Sequence, residues 1–108
     1  MDDQEFKKRV DGALNDLYRA LSDAADEYGF EADFNAGALS VEFEDPPAKF
    51  VVSPNAPVRQ VWVSALSKSY KLDWDIVENS FVHGESKETV KALMERVIGK
   101  QLHKEVVL

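Results

Sequence analysis

Apolar residues recur through the first quarter of the chain at Phe6, Val10, Leu14, Leu17, Leu21, Ala24 and Tyr28, at intervals of 4, 4, 3, 4, 3 and 4. These intervals keep to one face of a 3.6-residue helix and predict an amphipathic helix over Asp3–Tyr28. Asp2 or Asp3 suits its N-cap and complements the helix dipole. Gly29 suits the left-handed residue that commonly ends a helix. Gly12 lies inside the helix on the solvent side and weakens it by about 1 kcal/mol relative to Ala.

The period then shortens to two. Phe30 to Asn35 is a first candidate strand, and Asn35, Ala36 and Gly37 supply a turn. Leu39, Val41 and Phe43 alternate with Ser40, Glu42 and Glu44, a strand with one wet face. Asp45, Pro46 and Pro47 break it. Phe50 to Val52 begins a third strand, Ser53 to Pro57 reads as a rigid loop, and Val58 to Leu66 is a fourth strand. Tyr70 to Asp73 and Ser80 to His83 are short fifth and sixth candidates. A second helix is opened by Ser86 with Thr89 or Glu88, and Val90, Leu93, Met94, Val97 and Leu102 mark its buried side. Gly99 weakens its end, and the tail from His103 to Leu108 is apolar enough to pack as an extended segment. Strands this closely spaced leave no room for crossover helices, so the sheet is an antiparallel meander. The prediction is an α+β two-layer sandwich, with two helices on one face of a five- to six-stranded antiparallel sheet and the other face open to water. With no repeat, linker or low-complexity stretch, residues 1–108 read as a single domain.

Alternation in the fourth strand puts Val61, Val63 and Ala65 on one side and Gln60, Trp62 and Ser64 on the other. The largest apolar side chain of the strand therefore falls on the wet face, beside hydrogen-bonding neighbours. That is a common arrangement at a protein-docking site; the alternatives are packing on a nearby loop or a register shifted by one residue.

Composition narrows the partners. The chain has 108 residues, 44% hydrophobic and 31% charged, with 13 Lys and Arg against 20 Asp and Glu and a net charge of −7. The balance argues against nucleic-acid phosphates and anionic membrane surfaces and favours cations or a basic protein surface. The absence of cysteine removes disulfides, thiolate zinc sites and thiol catalysis. The acidic N-terminus resembles neither a signal nor a transit peptide, and no apolar run suits a membrane span. A cytoplasmic protein is expected, or the mature form of a processed one.

Rotation by about 100° per residue gathers Asp2, Glu5, Asp16, Asp23 and Glu27 within roughly 60° along a flank of the first helix, with Asp11 and Asp26 nearby. Glu31, Asp33, Glu42, Glu44 and Asp45 extend the acidic field onto the first strands. Carboxylates are hard oxygen ligands for Ca²⁺, Mg²⁺, Mn²⁺ and, by the same logic, iron. Without His or Cys in the cluster, the expectation is weak, shallow and multiple binding; the plain alternative is a solvated acidic face. His83 and His103 have no ligand pattern and read as surface or tail residues. No phosphate loop, nucleophile elbow or Ser/His/Asp constellation is present, so no enzyme chemistry is indicated.

These residues together resemble the frataxin family and, within it, the short bacterial CyaY-like members. The resemblance covers nearly the whole chain: the acidic first helix, Asn35 to Phe43, Phe50 to Ala65, Tyr70 to Trp74 and the closing helix. Its most specific part is Pro-x-x-Gln-aliphatic-Trp-aliphatic-Ser at Pro57, Gln60, Val61, Trp62, Val63 and Ser64, supported by Leu72-Asp73. It implies an iron-binding accessory protein of iron–sulfur cluster assembly that docks on the cysteine desulfurase–scaffold complex and modulates its rate. Iron, as Fe²⁺ or Fe³⁺, is implied as a weak surface ligand of Asp2, Asp3, Glu5, Asp11, Asp16, Asp23, Asp26 and Glu27. Partner binding is implied for Asn55, Gln60, Trp62 and Lys71, with Glu42 and Glu44 on the same wet face. A monomer, with iron-dependent oligomers, and a cytoplasmic location (the mitochondrial matrix for a processed eukaryotic form) are expected. The family commonly has Asn just after the third strand, where this chain has Ser53 and Pro54, and Phe81 stands where the family has a second tryptophan. An iron-storage or ferroxidase protein, and an interaction module without metal, are the alternative readings.

Overall fold

A computed structural model describes Met1–Leu108. Helix α1 spans Asp3–Tyr28, as its periodicity predicts, and its buried residues are Phe6, Val10, Leu14, Leu17, Leu21 and Ala24. The Asp2 carboxylate accepts from the Glu5 amide at 2.7 Å. Gly29 ends the helix at φ 76°, in the left-handed region that a residue without Cβ adopts at no steric cost.

Six strands follow: β1 Glu31–Asn35, β2 Ala38–Glu44, β3 Pro47–Asn55, β4 Gln60–Ala65, β5 Lys68–Asp75 and β6 Ser80–His83. They form one antiparallel sheet in sequence order. Helix α2, Val90–Leu102, is capped by the Thr89 hydroxyl, which accepts from the Ala92 amide at 3.2 Å. Ser86 instead sits in the preceding turn, 2.9 Å from His83 Nδ1. Both helices lie over one sheet face, and a single cluster of 23 buried apolar residues fills the layer between. The tail packs as expected, with Val106 buried in that cluster. No helix is long and apolar enough to cross a membrane.

Strands β3, β4 and β5 differ in extent from the sequence reading. Pro47 and Pro54 do not bound β3 but lie within it. Pro47 is its first residue, and Pro54 pairs with Val61 beyond Leu39–Val52, where the β2 pairing has ended. On that side β3 is locally an edge, where a missing N–H leaves no ladder bond unmade. The fourth strand starts at Gln60 rather than Val58, because Ala56–Val58 forms one 3₁₀ turn closed by Arg59 at φ 52°. β5 begins at Lys68, two residues earlier than expected. The turn before it uses Leu66 and Ser67 at φ 53° and 62°, a left-handed pair usually signalled by Asn-Gly.

Gly99 has a packing role as well as a propensity cost. A Cβ there would meet the Lys104 carbonyl oxygen at 2.9 Å, so the glycine lets the tail turn back over the helix end. Gln101 holds the same end to the β2–β3 turn by donating to the Pro46 carbonyl at 3.0 Å.

Candidate functional site

The open sheet face carries Ser53, Asn55, Gln60, Trp62, Ser64, Lys71 and Asp73, as alternation requires. Trp62 lies between Ser53 and Lys71 in the cross-strand register, and Gln60 lies between Asn55 and Asp73. The register shift considered for Trp62 is therefore excluded. The indole is half-buried, and its N–H donates to Gln60 Oε1 at 3.0 Å. Gln60 Nε2 in turn donates to Asp73 Oδ1 at 3.2 Å. Lys71 Nζ lies 4.9 Å from the centre of the Trp62 ring, a cation–π distance. The platform is thus preorganised. The indole N–H needs no external acceptor, and a partner meets a ring already fixed in orientation, with an ammonium beside it. Asp73, which anchors this chain of bonds, enters the sequence reading only as part of the supporting Leu72-Asp73 pair and without a site role. The β4–β5 register, which sets it opposite Gln60, reveals that role.

The acidic candidates divide into groups with different occupations. Asp2 is engaged as the helix cap. Asp3 is bound by Arg59 at 2.7 Å, and Arg59 also donates from Nε to the Met1 carbonyl at 2.7 Å. Glu5 meets Arg9 at 4.0 Å. By contrast Asp11, Asp16, Asp23, Asp26 and Glu27 are exposed and have no basic side chain within 4.0 Å.

These five are spread round the exposed side of α1 rather than along one line. Tyr18 packs on Phe34 of β1, which turns its side of α1 toward the β1 edge. Residues seven apart on a helix nearly eclipse, so Asp11 shares the line of Tyr18. Asp26, about 80° further round from Tyr18 toward the exposed back, lines a groove with Glu31, Asp33 and Glu42. On the opposite flank Phe6 packs on Phe81 of β6, and Asp16 faces Lys91 of α2 across another groove. Asp23 and Glu27 follow the line of Asp16. Of the two acids expected near the Asp16–Asp23–Glu27 flank, Asp11 lies about 140° round the helix from Asp16, whereas Asp26 lies on the exposed back, about 60° and one turn from Asp23.

The strand carboxylates gather at the β1–β2 edge. Glu31 and Glu42 are directly opposed cross-strand partners, and Glu44 lines an adjoining groove with Asp26, Glu31 and Glu42. Lys49 approaches Glu42 at 3.8 Å and relieves part of the repulsion. Glu42 and Glu44 are therefore two strands away from Trp62, about 10 Å across the same face. They belong to an acidic edge rather than to the tryptophan platform. No group of three or more His, Asp or Glu side chains is placed to hold a metal ion. The donor chemistry fits a hard cation that keeps most of its water and takes one or two carboxylates at a time, rather than a closed site.

Comparison with known proteins covers the chain nearly end to end. A sequence profile described as a frataxin-like domain matches residues 1–104. A protein from Pseudomonas aeruginosa named iron-sulfur cluster assembly protein CyaY is 31% identical over 103 residues, covering 94% of this chain and 91% of its own. A protein of the same name from Pseudomonas putida is 33% identical over 82 residues, 74% of each chain. Among solved structures, the frataxin from Psychromonas ingrahamii superposes with a TM-score of 0.75 at 24% identity, covering 98% of this chain and 96% of that one. That likeness shows the same fold, two helices on an open antiparallel sheet.

Proposed function

The chain belongs to the frataxin-like family, and on that premise we propose that it is a non-enzymatic accessory protein of iron–sulfur cluster assembly. It docks on the cysteine desulfurase–scaffold complex and modulates its rate. The relatives' name, iron-sulfur cluster assembly protein, supports the pathway. The observation that carries the docking role is the pairing of an only partly compensated acidic edge with a preorganised tryptophan platform on one open sheet face. Opposed like charges at Glu31 and Glu42 are unfavourable in the isolated chain, and a basic partner surface or a cation removes that cost. The acidic edge steers a basic surface over a long range, whereas Trp62 and Gln60 make short-range contacts that select the partner.

Iron enters as cargo or signal. Fe²⁺ held by one or two carboxylates at Asp26, Glu31 and Glu42 neutralises the same charges that would meet a basic partner. Iron and partner are therefore coupled through one surface, and the effect on the desulfurase depends on iron concentration.

The test is a desulfurase assay on the purified enzyme–scaffold complex, with this protein and Fe²⁺ varied independently. The expected result is a rate change that saturates with the protein and shifts with iron. Trp62→Ala should reduce apparent affinity roughly tenfold, the range of a hot-spot aromatic. An unchanged rate at saturating protein would sink the docking role. Amide signals of Asp26, Glu31 and Glu42 that stay fixed while Fe²⁺ is titrated would remove the metal role alone.

A further inference from the structure

On the opposite side of the molecule, away from the acidic edge, α1, the β5–β6 hairpin and the start of α2 enclose a groove of about 510 Å³. Its charge runs against that of the whole protein. Lys8, Arg9 and Lys91 line it with one carboxylate, Asp16, although the chain carries a net charge of −7. Lys8 and Lys91 have no carboxylate within 4.0 Å. Trp74, half-buried, forms part of the wall, and the Arg9 guanidinium lies 4.9 Å from its ring centre.

Two further features in or beside this groove lack a purpose within the isolated chain. The hairpin whose stems line it carries Ile76 and Val77 at its tip, 85% and 89% exposed, the most exposed large apolar residues of the protein. β-Branched apolar residues are unusual in a turn. This turn is nevertheless held, because Asp75 Oδ1 accepts from the Val77 amide at 2.8 Å and the Glu78 amide at 3.1 Å. The pair is thus presented on a fixed scaffold. Gly12, in the middle of α1, also lines the groove, and nothing lies within 4 Å of where its Cβ would be. Neither packing nor a left-handed backbone requires glycine there, yet it weakens the helix relative to alanine. Its effect is to leave an open notch in the groove wall.

We propose that this groove is a second docking surface, separate from the Trp62 face. Its occupant is a partner-protein segment carrying Asp or Glu beside a large apolar side chain. The carboxylates meet Lys8, Arg9 and Lys91, and the apolar side chain enters the notch at Gly12 against Trp74. Ile76 and Val77, fixed at the hairpin tip beyond the groove, offer the segment a further apolar contact where it leaves the groove. Charge complementarity selects an acidic occupant, and the exposed apolar pair selects a peptide over a simple anion.

The test uses the intact chain, isotope-labelled, titrated with three synthetic peptides of equal length. One is acidic with central Leu and Phe, one is acidic with those two replaced by Ser, and one carries Lys in place of every acidic residue. The Trp74 indole and the amides of Gly12, Ile76 and Val77 should shift with the first peptide at a Kd of about 1 mM or tighter. Lys8→Glu with Lys91→Glu should weaken binding roughly tenfold, as expected for reversed close charges. Gly12→Leu keeps a helix-compatible residue at an open position, so it reports on the notch without unfolding α1; it should abolish the Trp74 shift. The proposal is overturned by no shift with the first peptide, by equal response to all three, or by inorganic phosphate alone reproducing the shifts.

Discussion

Two carboxylate regions of this protein differ in what surrounds them. At the start of α2, Glu88 is gripped by Arg96 through contacts of 2.8, 2.9 and 3.1 Å. Arg96 also lies 5.7 Å from the Tyr70 ring, and Tyr70 packs edge-on against His83. The Arg96 hydrogen bonds hold the Glu88 carboxyl below its ordinary range, against the opposing effect of burial, and Glu88 in turn raises Arg96. At the β1–β2 edge, Glu31 faces Glu42 across the ladder, and only Lys49 approaches from the side. One region uses acid to tie α2 to the turn that leads into it; the other holds acid that the fold compensates only in part. A carboxylate with structural work is recognised by its partner, and the ones without a partner are those available to a cation or a basic surface.

The largest expected effect breaks the satisfied region. Arg96→Ala should destabilise the fold by about 1.5 kcal/mol in urea unfolding, because a partly shielded carboxylate loses a bidentate partner. A loss no greater than that of an arbitrary surface substitution would mean that the contact does not fasten α2. The pH dependence sharpens the same point. The folded Glu88 carboxyl lies below its ordinary value of 4.5, so folding favours the ionised form. Its contribution is fully present above that value and is lost as pH falls through the lower folded value. Stability curves of the parent protein and Arg96→Ala should therefore converge below about pH 4.5.

Next in size is Trp62→Phe, which keeps a ring but removes the N–H donated to Gln60. It should cost about 0.7 kcal/mol of stability while weakening partner docking more than that figure implies, since the fixed orientation of the platform is lost. The smallest effect has the opposite sign. Glu31→Gln with Glu42→Gln should stabilise the fold by about 0.3 kcal/mol, most visibly at low salt, by removing opposed like charges. If this double variant is destabilised instead, the acidic edge serves the fold and the contrast with Glu88 collapses.

Several of these relations were open to reading along the chain. The span of α1, its buried stripe and its left-handed terminator follow from spacing and from Gly29. The wet side of β4 follows from alternation, and the Asn35–Gly37 turn from its residue types. The hidden parts shared one feature: their cause lay outside the local window. Pro54 looks like a breaker until β2 is seen to have ended beside it. Leu66 and Ser67 carry no usual turn signal, so β5 seemed shorter than it is. Gly99 reads as a defect until the returning carbonyl of Lys104 is placed against it.

The two layers, the order of the elements and which residues face water are legible along the chain, because helical and strand periodicities belong to a single stretch of it. Tertiary structure decided which flank of α1 looks toward β1 and which toward β6, and so set Asp11 and Asp16 beside different edges of the sheet. It decided that Asp73 completes the Trp62–Gln60 network, that Arg59 captures Asp3, and that Lys8, Arg9 and Lys91 converge beside Trp74. Each of these depends on the rotation of a helix against a sheet or the register between strands. Those quantities are set by packing of the whole core and leave no signature in any local pattern.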